Sequence, residues 1–415
     1  MNVKNIAKLN PFRYEDFMNE REMKLRACIG DNSGTSRKFR DIHIAEGFKK
    51  AHELIYEGVK SDKIAVDVAV YPMFYCSRHS IELYLKLIIK QLLRIYKIKI
   101  GEDEIYGNIK KENSNLHGIK QLKNNLKSLF IVDPRCKKEF SANLKYFDSL
   151  IKDYYFDDRS TAFRYTYSNK IKQNINLSDK KLVDTDILHE KYEKLIKKLE
   201  YYYNFVYNIV TEYQTGTFTP KISRAQIEEI SKLLPDYSEW DDKLSKAKSK
   251  ICKKYKLSSN QFSDVLDKIR EHRLFSLNIG LENKFKNIRN KTMQNLVEFI
   301  KKYEEIISKE RVISGIRIKE LEKQFQTKGN KFIEDAKEEE LAIVLSFVEI
   351  GEMSYYCEAL ERIYKRWSEY LNKSRYILNK ICDKKYLLRG FEICGQKTYI
   401  ERFEKYYKAA TKKNT

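Results

Sequence analysis

The stretch from Tyr71 to Lys97 constrains the fold more than any other, because it is apolar on almost every side when drawn as a helix. It reads YPMFYCSRHSIELYLKLIIKQLLRIYK, and a helix that is hydrophobic all round usually lies inside its domain. Polar and charged side chains interrupt it at Arg78, His79, Glu82 and Lys86. At about 100° per residue these four fall within an arc of about 100°, so they form one polar stripe.

The polar stripe can neutralise much of its own charge. Arg78 with Glu82 and Glu82 with Lys86 are both i,i+4 pairs, which lie side by side on a helix. Because unpaired buried charge is costly, we expect the stripe to face a partner network, a water-filled groove or a ligand.

The rest of the chain has the periodicity of an all-α protein. Only 14 Gly and 5 Pro are present, which is too few for a turn-rich all-β fold. Helical patterns cover residues 39–60, 72–97, 116–129, 139–155 and 184–214. A polar loop ends at Asn115, which we predict to cap the helix that follows it, and the segment 156–170 is predicted to be non-helical. We predict an N-terminal extension at 1–38, an up-and-down helical bundle at 39–214, and a second all-helical domain at 221–415 after the breaker string TGTFTP.

Charge points to an anionic partner. The chain has 81 Lys and Arg against 59 Asp and Glu, a net charge of +22 that favours nucleic acid, although a lysine-rich surface without such a role is the alternative. Its seven cysteines are scattered without a CxxC pattern, so we expect reduced thiols and neither a metal site nor a cofactor. We find no long apolar run and no signal-peptide core, and we expect a cytoplasmic protein that does not enter the membrane.

The second half contains one candidate recognition motif. Residues 240–275 have the spacing of a helix-turn-helix, with Asn260, Gln261, Lys268 and Arg270 as its polar reading face. An ordinary αα-hairpin is the alternative, because the motif has no strict signature. Basic runs such as Lys253–Lys254 are typical of solvated helix faces, and residues 338–367 are a strongly apolar helical segment.

No conventional catalytic signature is present: we find no Walker loop, GxGxxG, GxSxG, HExxH or EF-hand loop. RNA cleavage without a metal needs a base for the 2′-OH proton, an acid for the leaving oxygen, and cations for the charge on phosphorus. Histidine and arginine in one pocket can supply all three.

Three short motifs occur in an order that resembles the HEPN superfamily (higher eukaryotes and prokaryotes nucleotide-binding). They are RHSIELYLK at 78–86, LHGIKQL at 116–122 and FRYTYSN at 163–169, so the resemblance covers about residues 39–213. It implies a bundle of four or five helices, frequent dimers, and roles in RNA cleavage or in prokaryotic defence and toxin systems. The chain departs from the family's Arg-x4–6-His pattern near the last bundle helix, because 184–214 contains His189 and no Arg. Only Arg37 with His43 has that spacing.

These observations select Arg78, His79, Glu82, His117 and Arg164 as candidate catalytic residues, with Lys86 and Tyr165 as candidate nucleic-acid contacts. Our first hypothesis is a metal-independent endoribonuclease in which His79 or His117 is the base and Arg78 and Arg164 stabilise charge on phosphate. The alternatives are an inactive HEPN-like nucleic-acid-binding or assembly subunit, and a nucleotide sensor. The same residues could instead form a buried polar network that fixes helix register.

Two further expectations concern partners and the remaining histidines. We expect RNA as the partner, and a homodimer or a protein encoded in the same operon as a second one. The other four histidines look solitary, and we expect them to be surface or half-buried residues without a function: His43, His52, His189 and His272.

Overall fold

The computed structural model describes residues 37–157, 163–164, 182–310, 329, 331–371 and 380–412. These residues form helices and turns without a strand, which confirms the predicted all-α class. The chain divides into two compact units, residues 1–210 and 211–415. No helix in the described part of the chain is long and apolar enough to cross a bilayer.

The first unit is a set of helices around one long central helix. Its helices are α1 (Arg37–Lys60), α2 (Val66–Lys99), α3 (Glu104–Asn115), α4 (Ile119–Leu129), α5 (Pro134–Ile151) and α6 (Thr185–Gln214), with 3₁₀ turns at Phe130–Val132 and Lys152–Tyr154. The boundary between the units falls within the last turns of α6, a few residues before the predicted boundary at 215–220.

Helix α2 is the 34-residue apolar rod expected from the sequence, and it begins six residues before Pro72. Its apolar side chains are buried on several sides, and Ile81, Leu85 and Leu92 are fully inaccessible to solvent. Helix α6 is fixed to it by a hydrogen bond of 2.7 Å between the Ser80 and Tyr192 hydroxyls. Burial on all sides is the reason that the polar stripe must meet partners within the protein.

The connection after α2 differs from the prediction. The expected polar loop contains α3, whose first turn is capped by Asp103 through a 2.9 Å hydrogen bond from the Tyr106 N–H. Ile109 is buried, but it lies among charged and polar residues, so the sequence of this helix shows no clear apolar periodicity. Asn115 therefore ends α3, and Gly118 is the N-cap of α4.

The second unit contains two hydrophobic cores. Its helices are α7 (Arg224–Leu233), α8 (Trp240–Tyr255), α9 (Ser259–Glu271), α10 (Arg273–Leu277), α11 (Asn290–Glu310), α12 (Glu338–Met353), α13 (Leu360–Tyr370), α14 (Lys384–Ile393) and α15 (Lys397–Lys412), with 3₁₀ turns at Tyr237–Glu239 and Cys357–Ala359. One core joins α7 to α10, and the other surrounds the apolar α12.

Helices α12 and α14 approach each other closely at two glycines. A Cβ added at Gly351 would lie 1.9 Å from the Tyr386 carbonyl oxygen, and one at Gly390 would lie 1.9 Å from the Phe347 carbonyl oxygen. The segment predicted as apolar and helical over 338–367 is interrupted at Ser354, which has a φ of 54° in the left-handed region. Helix α12 ends there, and α13 begins at Leu360 after the 3₁₀ turn at Cys357–Ala359.

Candidate active site

Arg78 is the structural centre of the polar stripe. Its side chain is 0% exposed, and Nη1 donates to Glu82 Oε2 at 3.0 Å. Nη2 donates to the His117 carbonyl at 2.6 Å and to the Asp157 carbonyl at 2.7 Å, while Nε lies 3.3 Å from the Asp157 carboxylate. Because the guanidinium is enclosed, Arg78 does not reach a phosphate, contrary to our expectation. It fixes the loops that contain His117 and Asp157 to α2.

Glu82 is a buried carboxylate with three cationic or polar neighbours. Its Oε1 accepts from Lys86 Nζ at 3.0 Å and from His117 Nδ1 at 2.9 Å, and its Oε2 accepts from Arg78. Burial alone would raise the pKa of Glu82, but the hydrogen bonds from Lys86 and His117 and the charges of Lys86 and Arg78 lower it below its ordinary value. Glu82 is therefore an anion at neutral pH.

The orientation of His117 follows from Glu82. A carboxylate only accepts hydrogen bonds, so His117 Nδ1 carries a proton, and in the neutral ring Nε2 has the free lone pair. The His117 side chain is 59% exposed, and Nε2 has no hydrogen-bond partner among the described residues. It opens onto a groove of about 700 Å³ that is also lined by Glu112, Lys120 and Gln121. This is the geometry of a general base oriented by a carboxylate.

The same groove contains the beginning of α4. Gly118 is its N-cap and has no side chain to accept hydrogen bonds from the first turn. The first N–H groups of a helix have no partner within it, and together with the helix dipole they favour anions. Lys120, which lines the groove in this turn, adds a positive charge.

His79, which belongs to the polar stripe, and Arg164, which follows α5 in the chain, both lie beside Tyr75 of α2. The His79 ring is half-buried, 4.4 Å from the Phe48 ring and 5.6 Å from the parallel Tyr75 ring, and burial lowers its pKa. The guanidinium of Arg164 lies 5.2 Å from the Tyr75 ring and is exposed. Phe163 stacks on α2 nearby, whereas the predicted contact Tyr165 lies outside the described residues.

Two histidines that look solitary in the sequence form a pair between α1 and α6. His52 Nδ1 donates to the Met73 carbonyl at 3.0 Å, so its Nε2 accepts from His189 Nδ1 at 3.2 Å. The expected surface or half-buried position is wrong for His52, which is fully buried, and for His272, which is also buried. Burial lowers the pKa of His52 to about 4. The two residues are 137 positions apart, so helical periodicity gives no sign of the contact.

Two residues of the predicted reading face on α9 have partners within their own helix. Gln261 closes a capping box with Ser258, and Arg270 pairs with Asp267. At about 100° per residue, Arg270 lies about 160° to 180° around the helix from Gln261 and Lys268. The buried side chains Phe262, Val265 and Ile269 lie on the opposite side of α9, so the four predicted residues are spread over its solvent-facing half: Asn260, Gln261, Lys268 and Arg270.

The second unit contains the one group of potential metal ligands found in the described part of the chain. Atoms of His272, Cys357 and Glu358 lie within 4.8 Å of one another. His272 Nδ1 accepts from the Phe275 N–H at 3.1 Å, so Nε2 carries the proton and donates to Glu358 at 3.0 Å. Glu358 also accepts from Arg224 at 2.7 Å, and burial raises the pKa of the Cys357 thiol to about 12. A metal would displace this network, so the group fits a hydrogen-bonded core better than a metal site.

The sequence matches no protein-family model, and neither a curated protein nor a solved structure matches it. Functional inference therefore depends on the chemistry of the site. The buried Glu82 and the half-exposed His117 give that chemistry its clearest form.

Proposed function

We propose that residues 39–210 act on RNA, and that His117 is the general base of a metal-independent endoribonuclease in a prokaryotic defence or toxin system. The observation that carries the proposal is the 2.9 Å contact between Glu82 and His117 Nδ1, which leaves Nε2 free in an exposed residue that lines an open groove. The motif resemblance to HEPN proteins and the net charge of +22 agree with an RNA substrate.

In the proposed reaction, His117 Nε2 removes the proton from a ribose 2′-OH. The 2′ oxygen attacks the adjacent phosphorus, the bond to the 5′ oxygen breaks, and the products are a 2′,3′-cyclic phosphate and a 5′-OH. The negative charge that develops on the phosphate is stabilised by Lys120 and by the N–H groups at the start of α4. His79, on the same stripe of α2, is our candidate for the acid that protonates the 5′ oxygen.

In this proposal Arg78 and Glu82 position the base and do not touch RNA. Arg78 fixes the backbone of His117, and Glu82 fixes its ring. Arg164 beside the stripe and Lys86 within it are two further cations in the described part of the chain, and we assign them to substrate attraction.

The test is cleavage of a labelled single-stranded RNA in EDTA at pH 6 to 8. We expect products that end in a 2′,3′-cyclic phosphate, and no cleavage of a DNA oligonucleotide, because DNA lacks the 2′-OH. His117→Ala should slow cleavage by about 10²- to 10⁴-fold, the usual contribution of a general base. His43→Ala is the matched control, because His43 is exposed on α1 and lies outside the site.

Intact RNA at every pH, or equal rates for His117→Ala and the wild type, would contradict the proposal. One observation favours the second function, a nucleic-acid-binding or assembly subunit without activity: the Arg78 guanidinium is fully enclosed, as in a structural network. Salt-dependent binding of RNA without any product would select that function.

A further inference from the structure

On the lysine-rich face of α8 in the second unit, Lys243 pairs with Glu239 at the start of the helix, but the lysines that follow have no acid beside them in the helix sequence. Residues 243–263 contain seven lysines and no Asp or Glu. Elsewhere, exposed lysines pair with a glutamate one turn away, as in Lys194–Glu190 and Lys232–Glu228. Helix α8 carries acids only in its first turn.

Three of these lysines form a continuous row. Lys246, Lys250 and Lys253 are exposed, and none of them has an ion pair with another described residue. At about 100° per residue they fall within an arc of about 60°. The side chains that α8 packs into its own core, Leu244 and Ile251, point elsewhere on the helix.

The row has the dimensions of a short length of phosphate backbone. Seven residues of helix separate Lys246 from Lys253, which is about 10 Å at 1.5 Å per residue. One strand of a nucleic acid presents a phosphate about every 3.4 Å along its axis, so the row can face about three phosphates. Three like charges held this close repel each other unless an anion lies against them.

We propose that this row, Lys246, Lys250 and Lys253, is a binding surface for the phosphate backbone of nucleic acid. It is separate from the groove at His117, and it does not depend on catalysis there. It differs from the predicted reading face on α9, where Asp264 and Asp267 alternate with the basic residues. Contact with phosphates alone gives affinity without sequence preference.

An anionic membrane is the competing partner, and the composition of α8 argues against it. Helices that lie on membranes insert an apolar face beside their lysines. The apolar side chains of α8, including Leu244, Ala247 and Ile251, pack into the core of the second unit instead. The exposed face therefore offers charge without an apolar surface to enter lipid.

The experiment is fluorescence anisotropy of the full-length chain with a labelled 2′-O-methyl RNA 20-mer and with a DNA duplex. The 2′-O-methyl group prevents cleavage, so the result is independent of the function proposed for His117. The triple variant Lys246→Gln, Lys250→Gln, Lys253→Gln should lower the slope of log K against log [salt] by about 2, at about 0.7 per lost single-strand contact. At 0.1 M salt this is a loss of affinity on the order of 100-fold.

The matched control is Lys397→Gln, Lys405→Gln, Lys408→Gln on α15, three exposed lysines whose removal also lowers the net charge from +22 to +19. This variant should bind as the wild type does. Equal losses for both triple variants, no binding of either oligonucleotide at 50 mM salt, or an unchanged affinity of the α8 variant would each overturn the proposal. So would an α8-dependent affinity for phosphatidylserine vesicles in place of the oligonucleotides.

Discussion

Replacing Arg78 with methionine tests whether the polar stripe is held as we describe. Methionine fits the long buried space but removes the donors to Glu82, Asp157 and the His117 carbonyl. Removing one partner of a buried ion pair usually costs about 3–5 kcal/mol. Because Glu82 keeps its contacts with Lys86 and His117, we expect a loss near the middle of that range, about 4 kcal/mol.

Hydrogen exchange measured on peptides from α2 and α3 is the appropriate assay. Both tryptophans, Trp240 and Trp367, lie in residues 211–415, so their fluorescence follows the second unit and should not change. A loss of about 4 kcal/mol raises the opening equilibrium of α2 by about 10³-fold, at 1.4 kcal/mol per factor of ten.

Arg94→Met is the matched control on the same helix, because Arg94 makes a hydrogen bond of 3.1 Å to Gln91 and is only half-buried. It should cost less than about 1 kcal/mol. Adding Glu82→Gln to Arg78→Met should restore part of the loss, because the carboxylate without its partner is then removed. If Arg78→Met costs no more than Arg94→Met, Arg78 does not hold the site.

Two further perturbations test the packing. The pKa of His52 falls from 6.5 to about 4 on folding, so the unfolded chain binds the extra proton between those values. Stability from this residue should therefore fall by about 3 kcal/mol as pH drops from 7 to 4, and His52→Asn should remove that part of the urea-denaturation profile. A pH profile unchanged by the substitution would contradict the buried position of the ring. Gly351→Ala should destabilise the second unit by about 1–3 kcal/mol or more, because the added Cβ meets the Tyr386 carbonyl, and Trp fluorescence would follow this loss. Gly47→Ala has open space around its Cβ and should be neutral or stabilising, which circular dichroism would show. An unchanged stability of Gly351→Ala would refute the close approach of the two helices.

Periodicity was enough to predict the all-α class and the central helix. The run of apolar residues around Ile81 and Leu92 left few alternatives to a buried rod, and Asp184 caps α6 as expected, through the Ile187 N–H at 2.9 Å. Helix α3 was missed because its single buried side chain, Ile109, gives too weak a periodic signal among charged neighbours.

The sequence selects Arg78, Glu82 and His117, which lie in contact in the structure, but it does not indicate which of them is buried and which is exposed. Burial of an arginine depends on which carbonyl groups surround it, and the Asp157 and His117 carbonyls come from loops that a helical pattern does not place. The pairing of His52 with His189 likewise depends on how α1 and α6 pack. The spacing of residues in the sequence identifies candidate side chains, whereas tertiary contacts determine which ring nitrogen of a histidine is free to accept a proton.

The central claim is that Glu82 holds the proton of His117 on Nδ1 and leaves Nε2 free. A long-range proton–nitrogen NMR spectrum of the ¹⁵N-histidine-labelled chain, recorded at a pH where the ring is neutral and assigned with His117→Ala, measures this directly. Our account predicts the Nδ1–H tautomer for His117, and a loss of that preference in Glu82→Ala. A neutral His117 found as the Nε2–H tautomer in the wild type would contradict the account, because the ring would then have no base directed at the groove.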